Sequence, residues 1–154
     1  MDLATFGAGC FWGVQAAFNP LAGVEKTTVG YMGGSSTNPT YEQVCTDKTG
    51  HVEVIQIQYN EKIISYKQLL EVFWKIHDPT QRNRQGLDVG TQYQSVIFYH
   101  SKKQHEIALQ SADNQQKKYT KEIATVIREA KPFYPAEKYH QNYLEKQGLS
   151  GCHL

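Results

Sequence analysis

The sequence has no long apolar run, no excess of charge of either sign and only three cysteines. No segment approaches the length of a membrane-spanning helix, and no basic start followed by an apolar stretch predicts a signal peptide. A formal net charge of +1 provides no long-range field for nucleic acid or an anionic membrane. An odd number of cysteines is unlike a secreted disulfide framework. We therefore expect reduced thiols in a cytoplasmic protein that binds neither nucleic acid nor membranes.

The length and composition of the chain are those of one ordinary globular domain. Its 154 residues are 40% hydrophobic and 20% charged, with no internal repeat and no linker. We expect a single domain over residues 1–154 that acts as a monomer. Residues 148–154 are short and contain glycine, so they are predicted to form a flexible tail.

Hydrophobic periodicity and capping boxes divide the domain into alternating strands and helices. Strands are predicted over residues 3–6, 24–31, 51–59, 95–100 and 123–128, and helices over 14–18, 41–45, 65–76, 101–119 and 135–147. Residues 78–92 are predicted to be a long polar loop. This succession indicates an α+β fold, a two-layer sandwich with a ferredoxin-like βαββαβ core.

The pentapeptide Gly-Cys-Phe-Trp-Gly at residues 9–13 places Cys10 on the turn between the first strand and the first helix. The unpaired N–H groups at a helix start favour thiolate over thiol, and the flanking glycines allow a tight turn with space for a small ligand. A buried structural cysteine beside core aromatics is the alternative. The pentapeptide alone leaves both interpretations open.

Glu53 is a candidate general acid in the strand predicted over residues 51–59. Alternation along a strand puts it on one face with Ile55, Ile57 and Tyr59, so a carboxyl group heads a largely apolar stripe. Burial there would raise its pKa and keep it protonated near neutral pH. The alternative is that Glu53, near the strand end, simply reaches water.

The remaining cysteines are Cys152 in the tail and Cys45 beside Val44. A tail cysteine can move to an oxidised catalytic thiol and convert a sulfenic acid into a disulfide, although an accidental exposed thiol would look the same. We expect Cys45 to be structural and to lie on a buried turn, with a reserve resolving role as the lesser alternative.

Seven short motifs occur in order along the chain. They are residues 9–13 (GCFWG), 39–41 (PTY), 50–53 (GHVE), 77–79 (HDP), 90–93 (GTQY), 132–137 (PFYPAE) and 140–144 (HQNYL). Together they resemble the A-type peptide methionine sulfoxide reductases over nearly the whole chain. Any one tetrapeptide is a weak signal, but seven in register are strong.

The resemblance implies a thiol-dependent reduction of methionine-S-sulfoxide, free or in proteins, as repair of oxidised proteins. Cys10 would attack the sulfoxide sulfur, and Phe11 and Trp12 would hold the substrate's methyl group. Glu53 would protonate the sulfoxide oxygen, which leaves methionine and a sulfenic acid on Cys10. The resemblance also gives Tyr41 and Tyr93 as hydrogen-bond donors, Asp88 as a residue that orders the site, and Cys152 as the resolving cysteine.

The resemblance further implies that thioredoxin reduces the Cys10–Cys152 disulfide and that the enzyme holds no metal or flavin. Two other classes stay open from the residues. A cysteine hydrolase or transferase would pair Cys10 with His51, His77 or His140. A metal-binding module would use the three cysteines and one histidine, but no C-x-x-C or H-x-x-x-H spacing supports it.

Overall fold

A six-stranded sheet is the centre of the computed structural model, which describes residues 2–147. The predicted tail 148–154, with Cys152, lies outside the described residues. The strands are β1 (Asp2–Ala8), β2 (Val24–Met32), β3 (Val52–Tyr59), β4 (Arg84–Gln85), β5 (Asp88–Val89), β6 (Ser95–Tyr99), β7 (Val126–Glu129) and β8 (Tyr134–Pro135). The helices are α1 (Phe11–Phe18), α2 (Tyr41–Cys45), α3 (Tyr66–Lys75), α4 (Lys102–Gln116) and α5 (Tyr143–Lys146), with 3-10 turns at Thr91–Tyr93 and Lys138–His140.

The sheet has the strand order β7-β6-β1-β3-β2-β8, so the strand before the Cys10 turn lies near the centre. All neighbouring strands are antiparallel except β6 and β7, which are parallel. Helices α1 and α3 pack on one face, where the Phe6 ring lies 5.9 Å from Phe18 and 5.2 Å from Phe73. The predicted α+β class is confirmed. The ferredoxin-like core stays a prediction, which the central order β6-β1-β3-β2 supports.

The two capping boxes of the described helices fix where α2 and α3 begin. The Ser65 hydroxyl accepts from the backbone N–H of Gln68, and the Gln68 side chain accepts from the Ser65 N–H. Thr40 and Gln43 make the same reciprocal pair at the start of α2. Each box satisfies two backbone donors that a helix start otherwise leaves without partners, and the second orients Tyr41.

The C-terminal segment differs from the predicted helix over residues 135–147. Pro135 lies in β8, where it pairs with Gly30 of the neighbouring strand β2. Within residues 135–147, α-helix occurs only in α5. Proline is tolerated at a sheet edge because that position needs no backbone donor. A Cβ on Gly30 would collide with the carbonyl oxygen of Tyr134, so the glycine permits this close pairing.

Three further boundaries differ from the prediction. The segment 78–92 is not a plain loop, because β4 and β5 form a two-stranded hairpin within it. Helix α4 ends at Gln116 rather than near Tyr119, and the last predicted strand begins at Val126. Within residues 2–147, no helix is long and apolar enough to cross a membrane.

Candidate active site

Cys10 lies where β1 gives way to α1. Gly9 before it has a positive φ of 96°, a conformation that favours glycine and turns the chain sharply. Cys10 itself is the N-cap residue of the helix, with φ −58° and ψ 121°, and it is half-buried. The backbone N–H groups of Trp12 and Gly13 lie near enough to its sulfur to lower the pKa of the thiol. The predicted strand-turn-helix setting of Cys10 is therefore present.

The Cys10 side chain is nevertheless a protonated thiol at neutral pH, because its pKa is raised. Burial is the largest cause that raises its pKa, to about 12, and the charge of Glu53 adds to it. The N–H groups of Trp12 and Gly13 lower the pKa but do not outweigh burial. The helix start does favour the thiolate, as predicted, but the prediction omitted desolvation, which raises the pKa by more than the N–H groups lower it.

Glu53 lies on central strand β3, and its side chain is 1% exposed. The backbone N–H of Phe11 donates to Glu53 Oε1 at 3.2 Å, which ties the carboxyl group to the residue after Cys10. Oε2 has no hydrogen-bond partner among the described residues. Burial raises the pKa of Glu53 to about 8, so the carboxyl group is largely protonated at neutral pH. Glu53 is therefore buried, as the general-acid interpretation requires, and does not reach water as the alternative held.

An aromatic cluster surrounds the helix start beside Cys10. Trp12 stacks on Tyr143 with ring centroids 3.9 Å apart and planes at 14°. Phe11, which is buried, lies 5.7 Å from Tyr31 and 6.4 Å from Tyr41. This cluster gives the site an apolar wall with Trp12 half-exposed at its edge, as a pocket for a methyl group requires.

Glu137 links the C-terminal segment to this aromatic cluster through two hydrogen bonds. Its Oε1 accepts from the Tyr31 hydroxyl at 3.2 Å, and its Oε2 accepts from the backbone N–H of Tyr41 at 3.1 Å. Although burial acts in the opposite direction, the backbone N–H of Glu137 itself, together with the Tyr41 and Tyr31 hydrogen bonds, holds the pKa of Glu137 below its usual range. Glu137 is therefore a charged anchor that sets the position of Tyr41.

Tyr41 and Tyr93 lie within the electrostatic reach of Glu53. Burial raises the pKa of both phenols well above the usual range, and the charge of Glu53 adds to each. Both hydroxyls are protonated at any physiological pH and can donate hydrogen bonds. The two predicted hydrogen-bond donors, Tyr41 and Tyr93, thus lie near the predicted acid, Glu53.

Asp88 is exposed in the β4–β5 hairpin, and its charge raises the pKa of Cys10, Glu53 and Tyr93. The hairpin therefore lies beside the site. Thr91, which follows the hairpin, donates from its backbone N–H to Asp47 at 2.7 Å. This hydrogen bond holds the segment that contains Asp88 and Tyr93 against the turn that follows α2.

Cys45 is exposed, not buried as expected. In the short helix α2 it is Val44 that turns into the core, and the next residue must face outward. The Tyr41 hydroxyl hydrogen-bonds the Cys45 sulfur, so this thiol lies beside the site without being part of the core.

The two alternative classes gain no support. The three candidate histidines bind other partners: His51 contacts Gly34 and Ser36, His77 contacts Phe73 and Ser95, and His140 contacts Trp12. A hydrolase base for Cys10 is therefore not observed among them. In residues 2–147, no group of three or more His, Cys, Asp or Glu side chains could hold a metal ion.

Three residues that build the site were not assigned roles from the sequence, and a fourth, His140, was considered only as a base for Cys10. The three are Tyr31, Glu137 and Tyr143. Glu137, His140 and Tyr143 lie in the motifs at residues 132–137 and 140–144, and these motifs were the only sequence feature that could have pointed to them. Their contacts cross more than 100 residues of sequence, so local patterns do not predict them.

A buried carboxyl group and a cysteine at a helix start, under an aromatic wall, are the groups that a thiol-based redox site needs, and comparisons with known proteins point to the same class. A family model described as Peptide methionine sulfoxide reductase matches residues 2–154. The peptide methionine sulfoxide reductase MsrA of Acidobacterium capsulatum is 54% identical, and the match covers 100% of each chain.

Solved structures are similar as well. Mxr1 from Saccharomyces cerevisiae in reduced form superposes with a TM-score of 0.91 at 38% identity, covering 96% of this chain and 86% of that one. Mxr1 in complex with Trx2 superposes with a TM-score of 0.66 at 28% identity, covering 92% and 84%. The chain belongs to the peptide methionine sulfoxide reductase family, and the resemblance predicted from its motifs is confirmed.

Proposed function

We propose that the chain reduces methionine-S-sulfoxide, free or in oxidised proteins, through Cys10, with Glu53 as the acid. Membership of the family establishes the reaction, and the residue roles are our proposal. The observation that carries these roles is the buried Glu53 carboxyl group, which is tied to the backbone next to Cys10 and has one oxygen without a partner among the described residues.

The substrate would enter with its methyl group toward Phe11 and Trp12 and its oxygen toward Glu53. An apolar methyl group next to sulfur suits aromatic faces. The sulfoxide oxygen carries negative charge and would accept hydrogen bonds from Glu53 Oε2 and from the hydroxyls of Tyr41 and Tyr93. Such preorganised donors gain strength in a water-poor site.

The chemistry needs a thiolate and a protonated acid at the same time. Burial and the charge of Glu53 both raise the pKa of Cys10, so the Cys10 thiolate forms more readily while Glu53 is protonated. Cys10 attacks the sulfoxide sulfur as the acid delivers a proton to the oxygen. This attack forms a bond between the two sulfurs. The protonated oxygen then passes, as a hydroxyl group, from the substrate sulfur to the Cys10 sulfur while the sulfur–sulfur bond breaks. Cys10 is thereby oxidised by two electrons to a sulfenic acid, and the substrate sulfur takes up those two electrons and leaves as methionine.

Recycling would use Cys152, which lies outside the described residues. Its thiol would condense with the Cys10 sulfenic acid, forming the Cys10–Cys152 disulfide and releasing water. Mxr1 is known in complex with Trx2, which supports thioredoxin as the external reductant here. We propose no metal or flavin in this cycle, and a cytoplasmic monomer as its setting.

The test is turnover of the purified reduced protein on a peptide with one methionine sulfoxide of defined epimer, in the presence of thioredoxin, thioredoxin reductase and NADPH. We expect methionine from the S epimer only, with stoichiometric NADPH consumption. The variant Cys10→Ser, in the same assay, should form none. Methionine from the R epimer, or from the serine variant, would overturn the proposal.

A further inference from the structure

The indole of Trp12 is held by one specific acceptor. Its Nε1–H donates to Nδ1 of His140 at 3.0 Å. An indole nitrogen can only donate, so Nδ1 must be without a proton, and the proton of the neutral imidazole is on Nε2. His140 is 1% exposed, and its Nε2 has no partner among residues 2–147.

The His140 ring lies inside the aromatic cluster rather than at its edge. Its centroid lies 4.4 Å from Tyr41, 5.4 Å from Phe11 and 5.7 Å from Trp12. It therefore contacts the side chains proposed to bind the methyl group and the oxygen of the substrate, and it is the partner that fixes the rotation of the Trp12 ring against Tyr143.

The backbone on both sides of His140 is held firmly. The Gln141 side chain accepts from the Val29 N–H at 2.9 Å and donates to the Val29 carbonyl at 2.9 Å, as another strand would. Glu137 binds Tyr31 and the Tyr41 backbone. The acceptor for Trp12 is thus attached to strand β2 and helix α2, which are elements of the site itself.

We propose that His140 is a positioning residue for this reaction: in its neutral form it fixes the Trp12 indole so that the ring can receive the methyl group of the substrate. The inference rests on the proposed substrate role of Trp12. It adds that substrate binding depends on the protonation of an imidazole that does not itself touch the reacting atoms.

The surroundings of His140 favour the neutral form. Burial lowers its pKa, while the carboxylates of Glu42 and Glu137 act in the opposite direction. The other polar groups that face it are the phenols of Tyr41 and Tyr139, whose pKa values are raised. A protonated His140 carries N–H on both nitrogens and cannot accept from Trp12.

The kinetic test compares His140→Leu, which removes the acceptor, with His140→Asn, whose amide oxygen can replace Nδ1. The loss of one hydrogen bond predicts a KM for sulfoxide peptide raised about 3- to 10-fold in His140→Leu, with the single-turnover rate at saturating substrate within about 2-fold of the parent. His140→Asn should restore KM to within about 2-fold. The parent's KM should also rise below the pKa of His140, whereas that of His140→Asn should not.

Trp74 provides the matched control, because its indole donates to the Ser111 hydroxyl at 2.8 Å in the α3–α4 pair, away from the site. The chain has two tryptophans, so a ¹⁵N-labelled sample shows two indole N–H signals, which Trp74→Phe assigns. His140→Leu should shift only the Trp12 indole signal. Ser111→Ala should shift only the Trp74 indole signal and leave KM unchanged. In the parent, the Trp12 signal should titrate with His140.

A Trp12 signal that does not titrate, or a KM raised equally in His140→Leu and His140→Asn, would overturn the inference. Should His140→Leu fail to fold, the parent titration and the pH dependence of KM in His140→Asn decide. Should the parent form no methionine at all, the proposed function fails, while the indole titration still reports whether the Trp12–His140 bond exists.

Discussion

Replacement of Glu53 by Gln should slow the reaction and stabilise the fold. Glutamine keeps the shape of the side chain, and its amide oxygen can still accept from the Phe11 N–H. It cannot release a proton to the sulfoxide oxygen. We expect the single-turnover rate to fall by roughly 10²- to 10⁴-fold, the usual range for the loss of a positioned general acid.

The stability gain follows from the raised pKa. Between the ordinary value of 4.5 and about 8, the folded protein binds one proton more than the unfolded chain, so the free energy of unfolding falls as the pH rises. Each pH unit costs about 1.4 kcal/mol, which amounts to about 3 kcal/mol by pH 7. A glutamine side chain does not titrate and avoids this cost, and Oε2 of Glu53 makes no bond to a described residue that the amide would lose.

The stability assay is urea unfolding of the parent and Glu53→Gln at pH 5, 6, 7 and 8. The activity assay measures methionine formed by each protein in a single turnover without reductant. The difference in unfolding free energy should grow with pH and level off above about pH 8. Glu137→Gln is the matched control, because its carboxylate is stabilised by hydrogen bonds and its pKa is lowered. A stability difference for Glu53→Gln that stays flat with pH, or a near-normal rate, would refute the reasoning.

Four further substitutions and a pH series test separate parts of the account. Glu137→Gln should lower the free energy of unfolding at pH 7 by about 1–3 kcal/mol, measured by urea unfolding, since two hydrogen bonds to a charged group weaken. Tyr41→Phe and Tyr93→Phe should each slow the single-turnover rate by about 3- to 10-fold, and an unchanged rate would remove that hydroxyl from the site. Cys152→Ser should release about one methionine per enzyme and accumulate a trappable sulfenic acid at Cys10, and full turnover with thioredoxin would exclude a resolving role. The rate of the first step should rise with pH up to about pH 8, as more Cys10 thiolate forms, and level off above it, as Glu53 loses its proton, and a rate that keeps rising tenfold per pH unit above pH 8 would exclude Glu53 as the acid.

The strands and the first site residues could be predicted from local patterns. Alternation along residues 51–59 put Glu53 on the apolar face, and capping boxes located α2 and α3. These signals work because strand period and helix caps depend on neighbours in sequence.

The C-terminal half of the site could not be predicted in the same way. Tyr134 and Pro135 become a strand only because β2 offers an unpaired edge, and the Gln141 side chain continues that pairing. The bond from Trp12 to His140 spans 128 residues. The pKa of Cys10 likewise depends on burial and on Glu53, which outweigh the local effect of the helix start.

The central claim is that Cys10 takes up the oxygen of the sulfoxide and that a second thiol then closes a disulfide with it. The most direct measurement is a thiol count and peptide map of the reduced protein after reaction with methionine-S-sulfoxide peptide and no external reductant. The account predicts one methionine per enzyme, two of the three thiols lost, and a Cys10–Cys152 disulfide. Methionine formed while Cys10 keeps a free thiol would contradict it.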